Sequence, residues 1–114
     1  MKTINYHNDP GHGWYEAPIA ELIRLKITDI ISAFSYVSKD RQTVYLEEDC
    51  DATTYFAALE ADGVDLNKTK SVNLYMENTF IRELRPYTKG IHFDLFCKTF
   101  KSNLQSWIER KQRS

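Results

Sequence analysis

The stretch "TVYLEEDCDATTYFAALEADG", residues 43–63, changes from strand-like to helix-like composition and decides the fold. Its first six residues are rich in the β-branched and aromatic types that strands favour. Further along, Tyr55 and Leu59 lie on one helical face, and Gly63 is well placed to end the helix. Asp51 stands just before this pattern, where an aspartate commonly caps a helix N-terminus. We therefore predict a strand, a cap at Asp51 and a helix that ends near Gly63.

The residues before this stretch predict a hairpin and an earlier strand pair. Alternating residues from Phe34 to Ser38 precede a polar "KDRQ" turn, which is typical of a β-hairpin. Nearer the N-terminus, "TINYH" and "WYEA" flank the turn-forming "NDPGHG". Pro18 suits the first turn of a helix that carries Leu22 and Ile23 on its apolar face.

The residues after Gly63 predict a further strand and two helices. "SVNLYM" is strand-like, and "NTFIRELRPY" favours a short helix. From Ile91, apolar residues recur in alternate steps of four and three, which predicts a long C-terminal helix with one apolar seam. The seam residues are Phe93, Cys97, Phe100, Leu104 and Trp107.

These elements predict one α+β domain over residues 1–114. We expect a small antiparallel sheet of four or five strands, covered by two or three helices, with the long C-terminal helix packed last. At 114 residues the chain suits a single core. The residues expected in that core are Trp14, Leu22, Ile23, Ile31, Phe34, Tyr36, Val44, Leu46, Phe56, Leu59, Leu74, Phe93, Phe100, Leu104 and Trp107.

The charges are divided unevenly along the chain. Residues 1–81 carry 7 basic and 13 acidic side chains, whereas residues 82–114 carry 8 basic and 3 acidic ones. A basic end is typical of binding to polyanions or acidic partners, and it can equally attract the acidic part of the same fold. Lys98, Lys101, Arg110 and Lys111 are the candidate polyanion contacts. A net charge of −1 and the lack of a nucleic-acid-binding motif make direct nucleic-acid binding the weaker interpretation.

The N-terminus and the cysteines favour a cytoplasmic protein. The N-terminal stretch has no apolar segment after Lys2, unlike a secretory signal, and no apolar run approaches the roughly 20 residues of a membrane span. Cys50 and Cys97 are far apart and lack metal-type spacing, so we expect reduced thiols.

Three stretches, "DPGHGWYEAP", "ISAFSY" and "VYLEEDCDA", resemble a family of short uncharacterised proteins of phage and plasmid genomes. Members of that family read "HDPGHGW…VP…LGI…IS.YSY…VYLEEDCDA". The match runs from Asp9 to about Phe56, with Ala17 where relatives have Val and Lys26 where they have Gly. It divides the domain into a family-like core, residues 1–87, and a C-terminal extension, residues 88–114. The resemblance implies a mobile-element accessory protein, a class that includes inhibitors of host defence.

The acidic run "LEEDCD" is the leading candidate for binding a protein partner. Its carboxylates could attract a basic, nucleic-acid-binding host protein, with tyrosines nearby as anchors. The candidate partner-binding residues are Glu47, Glu48, Asp49, Tyr45 and Tyr15. The sequence favours such stoichiometric binding, without a cofactor, over catalysis. It also leaves open a homodimer through the C-terminal seam.

The alternative function is a small metal-dependent hydrolase or nuclease. Two histidines and carboxylates from the acidic run could form the donor set that iron, manganese or zinc prefers. The candidate ligands are His7, His12, Glu48 and Asp49. A Cys50–His12 pair is a further option for nucleophilic chemistry. No metal-ligand or catalytic motif of recognised spacing supports either one.

Overall fold

The structure, a computed structural model, describes residues 2–88, which form one six-stranded sheet with two α-helices. The strands are β1 (Thr3–Asn8), β2 (Gly13–Pro18), β3 (Tyr36–Val37), β4 (Thr43–Glu47), β5 (Lys70–Tyr75) and β6 (Arg85–Pro86). The helices are α1 (Ile19–Arg24) and α2 (Asp51–Ala61), with 3-10 turns at Thr28–Ile30, Leu66–Lys68 and Phe80–Glu83. The predicted C-terminal helix lies outside the described residues.

The α+β class is confirmed, but the sheet is larger than predicted and mixed. The strand order is β5-β1-β2-β4-β3-β6, and β5 runs parallel to β1 while the other pairs are antiparallel. The expectation of an entirely antiparallel sheet was therefore wrong at one pair. The parallel pair arises because β5 follows α2, which returns the chain to the end of the sheet where β1 begins.

One face of the sheet is covered by the helices and holds the main core. Its side chains come from alternate positions of the strands, as in Val44 and Leu46 of β4, both 0% exposed. Leu22 of α1 and Leu59 of α2 pack against them. The two helices therefore close this face.

Three of the predicted core residues are exposed. Ile23 is 39% exposed because the buried positions of α1 are Ile19 and Leu22. Phe34 is 72% exposed because it precedes β3 and does not belong to a strand. Leu74 is 37% exposed because it lies on the edge strand β5. Tyr36 and Phe56 are half-buried. The remaining predicted core residues are buried, except Phe93, Phe100, Leu104 and Trp107, which lie outside the described residues.

Helix α2 begins in a different way from the predicted cap. Cys50 occupies the cap position without a capping side-chain hydrogen bond, and Asp51 is the first helical residue. The Asp51 carboxylate, buried at 1% exposure, instead accepts hydrogen bonds from the Ser32 N–H, at 3.0 Å, and from the Ser32 and Ser35 hydroxyls. Asp51 is therefore structural, but it anchors the segment before β3.

Two residues after helix ends take left-handed backbone conformations. Gly63 has φ +91 just after α2, which confirms it as the helix stop. Lys26 has φ 62 just after the end of α1, where glycine would be less strained. The predicted short helix near residue 80 is instead the 3-10 turn Phe80–Glu83.

Candidate functional site

A cleft of about 410 Å³ opens on the sheet face that the α-helices do not cover. It is formed where the β1–β2 turn, the end of β4, the segment before β3 and the 3-10 turn Phe80–Glu83 meet. The lining residues are His12, Trp14, Ala33, Phe34, Tyr36, Glu47, Asp49, Cys50 and Arg82. Apolar and aromatic groups dominate this lining, and a few charged groups interrupt it, as is common in binding pockets.

Trp14 is the central aromatic residue of the cleft. It is 2% exposed and packs edge-on against Tyr36, with ring centroids 6.1 Å apart. Its indole Nε1 is buried and has no hydrogen-bond partner within residues 2–88. Buried indole N–H groups usually find an acceptor, so this donor lacks the hydrogen bond that such groups commonly make.

Asp9 fixes Arg82 over the ring of Trp14. The Asp9 carboxylate accepts two hydrogen bonds from the Arg82 guanidinium, at 2.5 and 3.0 Å, and two more from the backbone N–H groups of Gly11 and His12. The guanidinium carbon then lies 5.5 Å from the centroid of the Trp14 ring. The hydrogen bond from Arg82 holds the pKa of Asp9 well below its ordinary value.

Glu47 places a buried carboxylate in the cleft. It is 9% exposed, and its Oε2 accepts a hydrogen bond of 2.9 Å from the Asp49 N–H. Burial raises the pKa of Glu47 above its ordinary value, and the neighbouring carboxylates add to this effect. A carboxylate that is desolvated in this way gains more from a cationic ligand than an exposed one does.

Ser35 connects the wall of the cleft to the sheet. Its hydroxyl donates to Asp51 and accepts from the Glu47 N–H at 2.9 Å, while its carbonyl accepts from the Tyr87 N–H at 2.8 Å. The neighbouring Phe34 is thereby held at the rim with 72% of its surface exposed. The buried Asp51 network thus positions an exposed aromatic side chain.

The structure divides the predicted partner-binding residues between two faces of the sheet. Glu47 and Asp49 line the cleft. Glu48 accepts a hydrogen bond from the Tyr6 hydroxyl, as expected if successive residues of a strand point to opposite faces. Tyr15 packs against Tyr6 and Phe56.

Tyr45 and Gly13 are explained by packing. Tyr45 is 8% exposed and packs edge-on against His7 and Phe80, so it offers little surface to a partner. Gly13 has no room for a side chain, since a Cβ there would overlap the phenol of Tyr6. The second glycine of "DPGHGW" is therefore required for close packing.

The predicted metal ligands are also distributed. His12 and Asp49 both line the cleft, but His7 Nε2 lies 2.8 Å from Glu16 Oε1, and Glu48 is bonded to Tyr6. Within the described part of the chain, no group of three or more His, Cys, Asp and Glu side chains is placed to hold a metal ion. The hydrolase or nuclease thus remains a prediction from the sequence. Of its four candidate metal ligands, only His12 and Asp49 lie together in the cleft.

The same cleft contains Cys50 and His12, the candidate nucleophilic pair. Cys50 is an exposed free thiol. No hydrogen bond joins the two side chains among those of residues 2–88. The candidate polyanion contacts Lys98, Lys101, Arg110 and Lys111 lie outside the described residues.

Sequence reasoning missed the interaction between Asp9 and Arg82. The two residues are separated by 73 positions, so no local pattern links them. It also assigned Phe34 to the core, because aromatic residues near strands usually pack there, whereas the predicted burial of Trp14 is confirmed. The one available signal for Phe34 was that it belongs to a motif stretch of the resemblance.

Comparisons with known proteins identify no family for this chain. No protein-family model, curated protein or solved structure matches the chain. Neither α-helix of residues 2–88 has the length and hydropathy that a bilayer crossing requires.

Proposed function

We propose that this protein is a mobile-element accessory factor that acts by stoichiometric binding of a protein partner through the cleft. Inhibition of a host defence complex in the cytoplasm is the form of this activity that the resemblance favours. The binding surface consists of the aromatic and acidic lining together with the exposed ring of Phe34 at the rim. Exposed aromatic anchors beside charged groups are typical of binding hot spots.

One observation carries this proposal: the three stretches of the phage and plasmid resemblance converge on a single cleft. "DPGHGWYEAP" supplies His12 and Trp14, and "ISAFSY" supplies one wall. "VYLEEDCDA" supplies Glu47, Asp49 and Cys50. These stretches are separated in the sequence, so their meeting at one open surface favours a shared binding task over separate structural ones.

The backbone at Lys26 supports the resemblance independently. Lys26 adopts φ 62, a conformation that glycine accepts with least strain. Members of the resembling family have glycine at this position. The backbone conformation at this position is therefore one that the glycine of the resembling family would favour.

Capture of the partner from a bacterial host lysate tests the function. The tagged full-length protein, Phe34→Ala and Tyr75→Ala are compared as baits by mass spectrometry. Tyr75 is the matched control, because it is a 54% exposed aromatic residue on β5 at the far edge of the sheet. Exposed substitutions of this kind usually change stability by less than about 0.5 kcal/mol, so both variants should stay folded.

We expect one protein to be retained in near-equal amount by the wild type and by Tyr75→Ala, and to be lost by Phe34→Ala. The purified pair should then form a complex of fixed ratio in size-exclusion chromatography. Retention of every captured protein by Phe34→Ala would mean that the cleft is not the binding surface. Loss only with Tyr75→Ala would place that surface at the β5 edge.

A further inference from the structure

We propose that the cleft binds an arginine or lysine side chain that an extended segment of the partner inserts between the aromatic walls and the acidic end. This inference rests on the proposed function, because it names the chemistry by which the same cleft recognises its partner. Two independent features support it, the balance of charge and the aromatic lining, and the volume of the cleft is compatible with it.

The balance of charge in the cleft is negative. Among residues 2–88, Arg82 is the one Lys or Arg side chain in the lining, and Asp9 neutralises it through two hydrogen bonds. Glu47 and Asp49 have no cationic partner among the ion pairs of residues 2–88. An incoming cation would therefore meet two carboxylates that lack a Lys or Arg partner, one of them largely buried, with His12 as the other lining side chain that interacts favourably with the Glu47 charge.

The aromatic lining suits the rest of a basic side chain. Phe34, 72% exposed, and the half-buried Tyr36 provide ring surface for the apolar stem and for a cation–π contact with the charged end. Arg82 already demonstrates this geometry, since its guanidinium lies 5.5 Å from the Trp14 centroid. A purely aliphatic side chain would leave the buried carboxylate of Glu47 without a cationic partner, since its one hydrogen bond comes from the neutral Asp49 N–H.

At about 410 Å³, the cleft is within the range of about 300–1,000 Å³ typical of ligand pockets. It therefore has room for a basic side chain together with part of its adjoining backbone.

Nuclear magnetic resonance of the full-length protein tests this inference without the partner. The probes are capped tripeptides, Ala-Arg-Ala and Ala-Lys-Ala, with Ala-Gln-Ala and Ala-Glu-Ala as controls. The reporter is the indole N–H resonance of Trp14, assigned with the variant Trp107→Phe. We expect the two basic peptides to shift this resonance in a saturable way, and the neutral and acidic peptides to leave it in place.

Paired carboxylate variants add a matched control. Glu47→Gln with Asp49→Asn should weaken binding of the basic peptides at least about tenfold, the loss expected when charged hydrogen bonds are removed. Glu60→Gln with Glu77→Gln changes the net charge equally at two exposed positions outside the cleft and should leave affinity unchanged. If both pairs of substitutions weakened peptide binding equally, the effect would come from the net charge of the protein and not from the cleft, and the inference would be overturned.

The remaining outcomes separate this inference from the proposed function. No saturable shift with either basic peptide, or equal shifts with the glutamate peptide, would overturn the basic-ligand inference. Partner capture that requires Phe34 but tolerates the Glu47 and Asp49 changes would preserve the function while rejecting this ligand. Basic-peptide binding together with partner capture that ignores Phe34→Ala would instead reject the proposed function.

Discussion

The two faces of the sheet are built from the same strands but are closed to different extents. On β4, Val44 and Leu46 point to the face that α1 and α2 cover, and both are fully buried. Tyr45 and Glu47, the residues that follow each of them, point to the opposite face. That face is covered in part by the 3-10 turn Phe80–Glu83, and the cleft lies beside it.

Because the α-helices close one face of the sheet, polar and aromatic groups on the other face can stay partly open to solvent. The helix-covered face supplies most of the buried apolar surface, which drives folding. The second face can then hold a buried carboxylate and an unpartnered indole, both of which cost stability. Substitutions on the two faces should therefore change the free energy of unfolding by different amounts and, at some positions, in opposite directions.

Leu46→Ala should have the largest effect, because it opens a cavity in the closed face. Truncation of a fully buried leucine typically costs about 2–5 kcal/mol. Urea denaturation should show this loss, whereas Phe34→Ala at the cleft rim should change the free energy of unfolding by less than about 0.5 kcal/mol. Similar losses for both would mean that the two faces are equally closed.

Asp51→Ala should have the next largest effect. It removes a buried acceptor from the Ser32 N–H and from the hydroxyls of Ser32 and Ser35. We expect a loss of about 2–4 kcal/mol, well above the roughly 1 kcal/mol of an ordinary helix cap. Thermal and urea unfolding would measure it, with Glu60→Ala, at an exposed position of the same helix, as control. A loss of only about 1 kcal/mol would instead favour the helix-capping role that the sequence predicts for Asp51.

Asp9→Asn should cost about 1–2 kcal/mol at neutral pH, the usual range for charged hydrogen bonds, reduced because Arg82 is half exposed. The pKa of Asp9 is lowered in the folded state, so its contribution is present above the ordinary pKa of 3.8 and is lost as pH falls toward the folded value.

Unfolding measured along a pH series checks this prediction. The difference between wild type and Asp9→Asn should shrink steadily below pH 3.8. Asp29→Asn, at an exposed carboxylate, is the control and should show little difference at any pH. A constant penalty for Asp9→Asn would mean that the carboxylate acts through shape and not through charge.

Glu47→Gln should stabilise the folded protein at neutral pH, in contrast to the three preceding substitutions. The pKa of Glu47 is raised in the folded state, so the neutral form is favoured there, and this advantage is lost as pH rises through the folded value. At pH 7 the amide avoids a buried charge, and we expect a gain of up to about 1 kcal/mol that disappears at acidic pH. A loss at pH 7 would show that Glu47 already has a stabilising partner in the free protein.

Lys26→Gly should give the smallest change, a gain of about 0.5 kcal/mol. Glycine relieves the strain of φ 62, and the greater freedom of the unfolded chain offsets part of that relief. Differential scanning calorimetry would detect the gain, with Lys39→Gly in the exposed β3–β4 turn as a control that should be neutral or unfavourable. A loss at Lys26 would show that its side chain contributes to the end of α1.

Much of the fold could be predicted because its signals are local. Residue alternation predicted the β3–β4 hairpin, and the spacing of Tyr55 and Leu59 with Gly63 predicted α2. The parallel pairing of β1 with β5 could not be predicted, since strand direction depends on how the intervening chain returns to the sheet. The exposure of Phe34 depends likewise on where β3 begins.

The candidate site could be predicted only in part. The acidic run directed attention to Glu47 and Asp49, which line the cleft. The bond between Asp9 and Arg82 joins distant positions, and the anchoring role of Asp51 depends on Ser32 and Ser35. Composition carries no information about such pairings, because they exist only after the chain has folded.

The parallel pairing of β1 with β5 also bears on the order in which the protein folds. Thr3 pairs with Lys70, so the first strand closes a loop that contains most of the described residues. Closing such a loop costs chain entropy before the contacts of β5 can stabilise it. The β1–β2 and β3–β4 hairpins, in contrast, join residues that are close in the sequence. We expect the hairpins to associate early and β5 to join last. The part of the cleft that the hairpins and the segment anchored by Asp51 provide would then take shape first, and the 3-10 turn Phe80–Glu83, which follows β5, would complete it with Arg82.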